Sequence, residues 1–334
     1  MAIANDHGEL RHHFSVSSLL HPVGDGLSIV KDSVRLPTGM DPLDRMLGGG
    51  FRPSDLVVLG GRPGVGKTIV GLQWARAMAL SGASVYVASY EHDEQTMLGR
   101  LVALEIGMLE LGPVDAETEA LVSGILNGEF SVATEVGRNP LVRAALSRID
   151  GYAERLMLVP AARLRLDLDQ LEKSYTEIKA ERKALLIDYV QKVPVPGVGS
   201  SWEAEGARVV AERLKELALA TMSVVFAVAA VDEQGLQARR VRLPHLRSAA
   251  SISYEADVAV IMNDKAMCTS RVHLAYDLTR LEEYERTVVF SIEKNRTGRA
   301  QLELEFEKDF GRFRFLPDGG FVAETLIDGV LVET

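Results

Sequence analysis

The segment "GGRPGVGKT", from Gly60 to Thr68, has the residue types that can hold the phosphates of a nucleotide. It fits the pattern G-x-x-x-x-G-K-[ST], with Gly61, Gly66, Lys67 and Thr68 at the specified positions. Glycines let backbone N–H groups turn toward phosphate oxygens, a lysine neutralises phosphate charge, and a threonine hydroxyl can bind Mg²⁺. We therefore expect ATP and Mg²⁺ as cofactors. The residues expected to bind the nucleotide are Gly61, Arg62, Pro63, Gly64, Val65, Gly66, Lys67 and Thr68.

Hydrolysis of the nucleotide requires carboxylates, and two acids follow apolar runs typical of buried strands. Asp188 ends "ALLID" and is expected to hold the metal together with Thr68. Glu91 follows "VYVASY" and is expected to orient or deprotonate the attacking water. A lone acid after a strand is more often part of an ordinary surface turn. The phosphate loop upstream is what favours the catalytic interpretation for both residues.

The elements that must position these residues alternate between short runs rich in Val, Ile and Leu and amphipathic helical stretches. This alternation is typical of an α/β fold with a mainly parallel, twisted sheet and helices on both faces. Helices are expected over Thr68–Leu80 and Trp202–Ala220. Alternating stretches, "TVVFSIEKN" and "QLELEFEKDFGRFRF", indicate antiparallel strands at the C-terminal edge. The parallel strands are expected to begin near Asp55, Ser84, Arg155, Ala184, Ser223 and Val258.

The chain is expected to have three parts. Residues 1–35 form a polar N-terminal arm, residues 36–316 form the ATPase domain, and residues 317–334 form a short acidic tail. Within the domain, residues 97 to about 155 are expected to be a helical insertion. Its apolar spacing favours a lid packed on the sheet, and a partner surface is the alternative.

Composition limits the partners and the compartment. The 334 residues carry a formal net charge of −10, so the surface as a whole should repel nucleic acid and anionic membranes. A nucleic-acid site would have to be a local basic patch. The single cysteine, Cys268, excludes an internal disulfide. Neither a signal peptide nor a long apolar run is present, so we expect a cytoplasmic protein without membrane association.

Five motifs, in order along residues 36 to 315, resemble the RecA-like ATPase domain of the hexameric DnaB-type replicative helicases. Each motif is similar to a family counterpart: the entry segment with the phosphate loop, the strand with a catalytic glutamate, the metal-binding strand, the DNA loop and the strand with a basic finger. The corresponding segments are "LPTGMDPLDRMLGGGFRPSDLVVLGGRPGVGKT", "VASYEHDEQTMLGRL", "LLIDYVQKV", "HLRSAASISYEADVAVIM" and "VVFSIEKNRTG". The resemblance implies a RecA-like P-loop core.

The resemblance also implies an oligomer. By it, Lys294 and Arg296 would reach into the nucleotide site of a neighbouring subunit and complete it, most simply in a hexameric ring. A residue that stabilises phosphoryl charge in this way works only when the neighbour is docked. Without the resemblance, the two residues would be interpreted as a solvated basic pair at a strand end.

The segment "LQARRVRLPHLRS" is a local reversal of charge in an acidic protein. The family has single-stranded-DNA loops in this region, and several copies in a ring could follow a phosphate backbone. The alternatives are a solvated loop or pairing with acidic residues of a neighbour. The candidate nucleic-acid contacts are Arg239, Arg240, Arg242 and Arg247.

The sequence departs from the family pattern at three places. Ala230 occupies a position where the family usually has a glutamine that senses the γ-phosphate, and a methyl group cannot form that hydrogen bond. The motif "LRSAAS" has Ser248 and Ala250 where many relatives have an acid and a glycine. About 35 residues precede the domain, so we expect the helical N-terminal domain of the replicative helicases to be absent.

Three functions are compatible with these observations. The first is a ring-forming ATPase that acts on single-stranded DNA as a helicase or translocase. The second is a nucleotide-gated assembly or regulatory ATPase without unwinding activity, which Ala230 and the short N-terminal region favour. The third is a recombinase-like filament, to which the late motifs are less similar.

Overall fold

A computed structural model describes residues 34–109, 115–197, 204–270 and 278–329, together with the backbone of four short strands before residue 34. The chain divides into two compact units, residues 1–35 and residues 36–334. In the first unit, β1 (Ile3–Ala4) pairs antiparallel with β2 (Leu10–Arg11), and β3 (Leu20–Val23) pairs with β4 (Gly26–Ile29). Apart from Val34 and Arg35, the remainder of the expected arm lies outside the described residues.

The second unit is built on one large sheet. Its strands are β5 (Leu56–Gly61), β6 (Ser84–Ser89), β7 (Leu156–Pro160), β8 (Lys183–Asp188), β9 (Val224–Ala229), β10 (Val258–Asp264), β11 (Thr287–Asn295), β12 (Leu302–Asp309), β13 (Arg314–Phe315) and β14 (Gly320–Phe321). The order is β13-β12-β11-β10-β5-β9-β8-β6-β7, and β14 pairs with β12. Strands β5 to β10 are parallel to one another, and β11 to β14 are antiparallel to their neighbours. The expected parallel strands and the antiparallel C-terminal edge are confirmed.

Helices cover both faces of the sheet. They are α1 (Asp41–Met46), α2 (Lys67–Leu80), α3 (Glu94–Leu109), α4 (Ala116–Leu126), α5 (Val132–Glu135), α6 (Pro140–Asp150), α7 (Ala161–Leu164), α8 (Leu168–Thr176), α9 (Ala204–Thr221), α10 (Glu233–Gln237), α11 (Ala249–Glu255), α12 (Lys265–Cys268) and α13 (Leu278–Glu285). The helix expected from Trp202 is described from Ala204, and Trp202 itself lies outside the described residues.

Two hydrophobic cores follow from the alternation of side chains along the buried strands. Val57 and Leu59 face one side, where Trp74 of α2 packs, and Val58 faces the other, where Leu214 of α9 packs. Both faces are covered, which explains why each parallel strand is a continuous apolar run.

The helical insertion packs into the first of these cores, because Val122 of α4 and Val142 of α6 belong to the same cluster as Trp74. A buried polar cluster joins it to the phosphate-loop helix. Glu105 of α3 is fully buried and accepts hydrogen bonds from Arg76 of α2 and from the Tyr152 hydroxyl, the latter at 2.6 Å. The insertion is therefore part of the body of the second unit.

The segment after Leu316, which the sequence analysis separates as a tail, is also joined to the sheet. Strand β14 pairs with β12, and Leu326 forms an isolated bridge with Thr269. Residues 330–334 lie outside the described residues. Within the described ranges, no helix combines the length and apolar character needed to cross a membrane.

Candidate nucleotide-binding site

The phosphate loop connects β5 to α2 at the carboxyl edge of the parallel strands, which is where open α/β sheets bind ligands. Its backbone requires glycine at two positions. Gly64 and Gly66 have φ of 80° and 98°, in the left-handed region that other residues rarely adopt. A Cβ at Gly66 would also lie 2.7 Å from the Phe315 ring. The loop can therefore turn tightly onto the N-terminus of α2, where backbone N–H groups favour anions.

Lys67 folds across this loop. Its Nζ donates hydrogen bonds of 2.7 Å to the carbonyl oxygens of Gly61 and Arg62. Burial lowers the pKa of Lys67 to about 8, against the opposing effect of the negative charges of Asp188 and Glu91. A triphosphate beside this amine would favour its charged form, because the two charges attract at short range.

Thr68 and Asp188 form the candidate metal site. The Thr68 hydroxyl donates a hydrogen bond of 2.8 Å to Oδ2 of Asp188, and Asp188 is 5% exposed. Burial raises the pKa of Asp188, and the hydrogen bond from Thr68 lowers it. Two adjacent oxygen donors, one of them a buried carboxylate, fit the ligand preference of Mg²⁺.

Glu91 lies beside this pair because its strand neighbours that of Asp188. Ser89 at the end of β6 is in register with Asp188 at the end of β8, and Glu91 follows two residues later. The Ser89 hydroxyl accepts hydrogen bonds from the backbone N–H groups of Glu91 and His92, which hold the turn. Lys192 Nζ is 3.4 Å from Oε1 of Glu91. The structure thus brings Lys67, Thr68, Asp188 and Glu91 to one edge of the sheet.

Arg100 of α3 is a cation at this site that the sequence analysis missed. Burial lowers its pKa, while Asp188 and Glu91 raise it, so both carboxylates are close enough to act on it. Its guanidinium also lies 5.3 Å from the centre of the Phe313 ring. A signal was present in the sequence, because Arg100 is an arginine on the helix that directly follows the strand of Glu91.

Arg62 uses its side chain differently from the rest of the loop. Its Nε donates a hydrogen bond of 3.3 Å to Gly235 O, and its Nη2 donates one to Ala238 O. The side chain therefore points toward α10 and the segment after it, and the backbone of Arg62 is the part that belongs to the phosphate loop.

Lys294 and Arg296 lie at the opposite edge of the sheet. Lys294 is the penultimate residue of β11 and Arg296 follows the strand directly; between them, Asn295 pairs with Val258, and Val258 pairs with Val57 at the start of β5. Gly61 is four residue steps beyond Val57 along β5, which is about 13 Å. The structure therefore does not bring the two basic residues to the phosphate loop of the same chain.

Both side chains bind the C-terminal end of α11. Lys294 Nζ donates hydrogen bonds to Ser253 O at 2.6 Å and Tyr254 O at 3.2 Å. Arg296 donates to Tyr254 O at 2.5 Å and pairs with Asp257 at 3.3 Å. Cations at a helix C-terminus are stabilised by the unpaired carbonyl groups there.

The segment 236–248, called the basic loop below, exposes less charge than the sequence suggests. Arg240 is 6% exposed and pairs with Glu303 of β12, and Arg242 pairs with Glu293 of β11 at 2.6 Å. Arg239 is half-buried, and its backbone N–H donates to Gly329 O at 2.7 Å. Arg247 is exposed. Of the four arginines expected to contact nucleic acid, Arg240 fits that expectation least, because its guanidinium is buried against β11 and β12.

Ala230, at the position of the missing sensor, is bonded through its backbone. Its N–H donates to Oε1 of Gln191 at 3.1 Å, and its carbonyl accepts from Nε2 of Gln191 at 3.4 Å. The sequence analysis did not single out Gln191, which lies in the 3-10 turn Val190–Lys192 after β8.

The sheet and the loop after its central strand define a P-loop ATPase fold of the RecA-like class. The family model of the DnaB-like helicase C-terminal domain matches residues 35–315, and the chain belongs to this family. The family comprises helicase-type ATPase motor domains, so the resemblance in the sequence motifs is confirmed.

Two curated helicases are similar along most of the chain. The replicative DNA helicase DnaC of Bacillus subtilis (strain 168) is 25% identical over 288 residues, which cover 84% of this chain and 57% of that protein. The replicative DNA helicase DnaB of Geobacillus stearothermophilus is 24% identical over 283 residues, which cover 83% and 56%. The chain thus spans little more than half the length of these relatives.

Solved structures agree on the fold. One solved ATPase domain superposes with a TM-score of 0.65 at 17% identity, covering 85% of this chain and 92% of that one. A DnaB-like replicative helicase, solved in a study of its interactions with primase, superposes with a TM-score of 0.63 at 17% identity, covering 86% and 62%. The expected RecA-like α/β core is therefore confirmed.

Proposed function

We propose that this protein is a Mg²⁺-dependent ATP hydrolase that assembles into a ring, most simply a hexamer, and moves along single-stranded DNA. The observation that carries the proposal is the convergence of Lys67, Thr68, Asp188 and Glu91 at the carboxyl edge of the sheet. Family membership supports the same class of activity.

Each residue has a distinct role in the proposed reaction. Lys67 binds the β- and γ-phosphates and stabilises the charge on the transferring group. Thr68 and Asp188 would hold Mg²⁺, which supplies positive charge at the phosphate oxygens when it is bound. Glu91 accepts a proton from water as the water oxygen bonds to the γ-phosphorus and the bond to the β–γ bridging oxygen breaks.

Completion of the site by a neighbour is the second part of the proposal. Lys294 and Arg296 lie at the sheet edge away from their own phosphate loop, which supports action in a neighbouring subunit. To act there, they exchange the carbonyl oxygens at the end of α11 for phosphate oxygens. Hydrolysis is then strong only in an assembly.

Binding of single-stranded DNA is proposed for the basic loop, with exposed Arg247 as the leading contact and Arg239 beside it. Several copies in a ring add their charges, although each chain is acidic overall. The internal pairs of Arg240 and Arg242 reduce what a single copy offers.

A nucleotide-gated assembly that does not move along DNA is the second candidate. Two observations favour it: the methyl side chain of Ala230, and the neutralisation of Arg240 and Arg242 by acids of the same chain. In that function, nucleotide binding orders the oligomer and hydrolysis releases it.

The steady-state ATPase rate with and without single-stranded DNA separates the two, measured beside the molar mass in solution with a nonhydrolysable ATP analogue. A ring-sized mass with strong stimulation by DNA supports the motor. An ATP-dependent mass with a rate indifferent to DNA supports the assembly switch. Lys67→Ala is the control for contaminating hydrolase. A wild-type rate equal to that of Lys67→Ala under every condition would contradict both functions.

A further inference from the structure

We propose that Gln191 transmits changes at the nucleotide site to the basic loop through the peptide groups of Ala230. The proposal rests on the proposed function for the identity of the nucleotide, and it goes further by naming the residue that carries the signal. Gln191 is a positioning residue, because its side chain acts on the backbone of another segment.

The turn that carries Gln191 is joined to both acids of the nucleotide site. It spans Val190–Lys192 and begins two residues after Asp188 in the chain. Its last residue, Lys192, lies 3.4 Å from the Glu91 carboxylate. A change in the surroundings of either acid, such as the arrival of a metal–phosphate group, therefore acts directly on this turn.

On its other side, Gln191 is joined to the base of the basic loop, which here means residues 230–232 together with residues 245–247. The Ala230 carbonyl accepts hydrogen bonds from both Gln191 and the backbone N–H of Arg247, the latter at 3.0 Å. Next to them, Val231 bridges Leu246, and Asp232 N–H donates to His245 O at 2.9 Å. These bonds close the loop, so a displacement of Ala230 displaces Arg247.

The bonding pattern explains why the link can work without a polar side chain at residue 230. Gln191 is 9% exposed, and one amide makes both a donor and an acceptor bond to a single residue. If the turn moves, Ala230 must follow, or the Ala230 N–H and the Gln191 amide lose these hydrogen bonds. Two bonds from one side chain thus provide the contact that the Ala230 methyl cannot.

Arg62 makes a separate link that provides an internal comparison. Its side chain donates to the carbonyl groups of Gly235 and Ala238, which are beyond the base of the loop. Loss of Gln191 should therefore affect the base, residues 230–232 and 245–247, and leave the nucleotide response of residues 235–238 in place.

Hydrogen–deuterium exchange of the full chain tests this, with and without the ATP analogue AMP-PNP and Mg²⁺. In the wild type, we expect the analogue to change exchange at the loop base by about fivefold, the scale of one net hydrogen bond. In Gln191→Met, which keeps the volume and removes both bonds, we expect that change to be lost. Gln191→Glu keeps the acceptor for Ala230 N–H, so we expect partial recovery of the response.

Gln73→Met is the matched control. Gln73 is 2% exposed and makes the same pair of bonds to the backbone of Phe315, at 3.1 and 3.0 Å, on the other face of the sheet. Gln73→Met removes the same number of side-chain hydrogen bonds as Gln191→Met, and we expect the nucleotide response at the loop base to persist in it. Binding of a fluorescent ATP analogue gives the nucleotide affinity of each variant, so exchange is compared at equal occupancy.

The outcomes separate this inference from the proposed function. A wild-type response at the loop base in Gln191→Met overturns the inference, and so does a wild type without any response there at full occupancy. An equal loss in Gln191→Met and Gln73→Met also overturns it, since the effect would be general loosening. A response that depends on Gln191 in a protein that binds no DNA supports the inference and contradicts DNA translocation.

Discussion

Thr68 and Asp188 are joined by a hydrogen bond of 2.8 Å between the first turn of α2 and the end of β8. Of the two, only Asp188 can carry negative charge; burial raises its pKa, and the nearby cations Lys67 and Arg100 act in the opposite direction. The pair is the candidate cation site, and both of its oxygen donors are carried by regular secondary structure.

Replacement of Asp188 by Asn tests the metal site, because the amide is the same size and can still accept the Thr68 hydrogen bond. We expect kcat to fall by about 100-fold or more, since the metal is worth several kcal/mol of charge stabilisation. The measurement is the ATPase rate as a function of Mg²⁺ concentration. A near wild-type kcat at saturating Mg²⁺ would show that Asp188 has no part in metal binding.

Glu91→Gln should separate binding from hydrolysis. The amide cannot accept the proton of water, so we expect kcat to fall by about 100-fold or more while ATP still binds. Glu94→Gln is the matched control, because Glu94 lies only three residues further along the chain, at the start of α3, and pairs with Arg163 instead. Similar rates for the two variants would remove Glu91 from catalysis.

The action of Arg296 in a neighbour can be tested by mixing two inactive proteins. Arg296→Ala subunits have an intact phosphate loop, and Lys67→Ala subunits have an intact basic finger, which is the pair Lys294 and Arg296. Mixed assemblies should therefore recover part of the ATPase activity, because some interfaces combine the two intact halves. Arg299→Ala, an exposed change three residues away, should be active alone. Absence of recovery in assemblies shown by mass to be mixed would contradict action in trans.

The depressed pKa of Lys67 predicts proton uptake on nucleotide binding. At pH 9 most of this amine is uncharged in the free protein, because the pH lies above its pKa of about 8. The triphosphate favours the ammonium form, so binding should take up a proton, and affinity should decline as pH rises above 8. Titration calorimetry in buffers of different ionisation enthalpy measures the uptake. At pH 6.5 the uptake by Lys67 should vanish, and an unchanged value would refute the prediction.

Glu105 should be a large contributor to stability. Its removal by Glu105→Ala leaves Arg76 largely buried without its carboxylate, and we expect a loss of about 3–5 kcal/mol. The comparison is Glu212→Ala, which removes an exposed helical pair with Arg208 and should cost under about 1 kcal/mol. Urea denaturation followed by circular dichroism measures both. Equal midpoints for the two variants would contradict this role for Glu105.

The parts of this molecule that could be predicted from sequence are those specified by nearby residues. Strand β6 was expected from Ser84, and it begins there, because a run buried on both faces carries its own pattern. The phosphate loop is equally local, since its glycines and Lys67 all lie within the short segment from Gly60 to Thr68.

The parts that could not be predicted depend on partners distant in the chain. Arg240 is 63 residues from Glu303, and only the pairing of β11 with β12 brings that acid into reach. Gln191 lies 39 residues from Ala230, and no periodicity relates the two. Polar contacts between strands depend on register, which the sequence does not state outright.

The separation of the phosphate loop from Lys294 and Arg296 also affects how many complete nucleotide sites an assembly contains. If Lys294 and Arg296 act in a neighbour, as proposed, each subunit would join the next head to tail through two unlike faces, because the loop and these residues lie at opposite ends of the strands. In the proposed arrangement, an open arc of such subunits always has one incomplete site at its end. Closure removes that defect, so a ring in which one junction opens to admit a strand would lose the hydrolysis at that junction until it closes again.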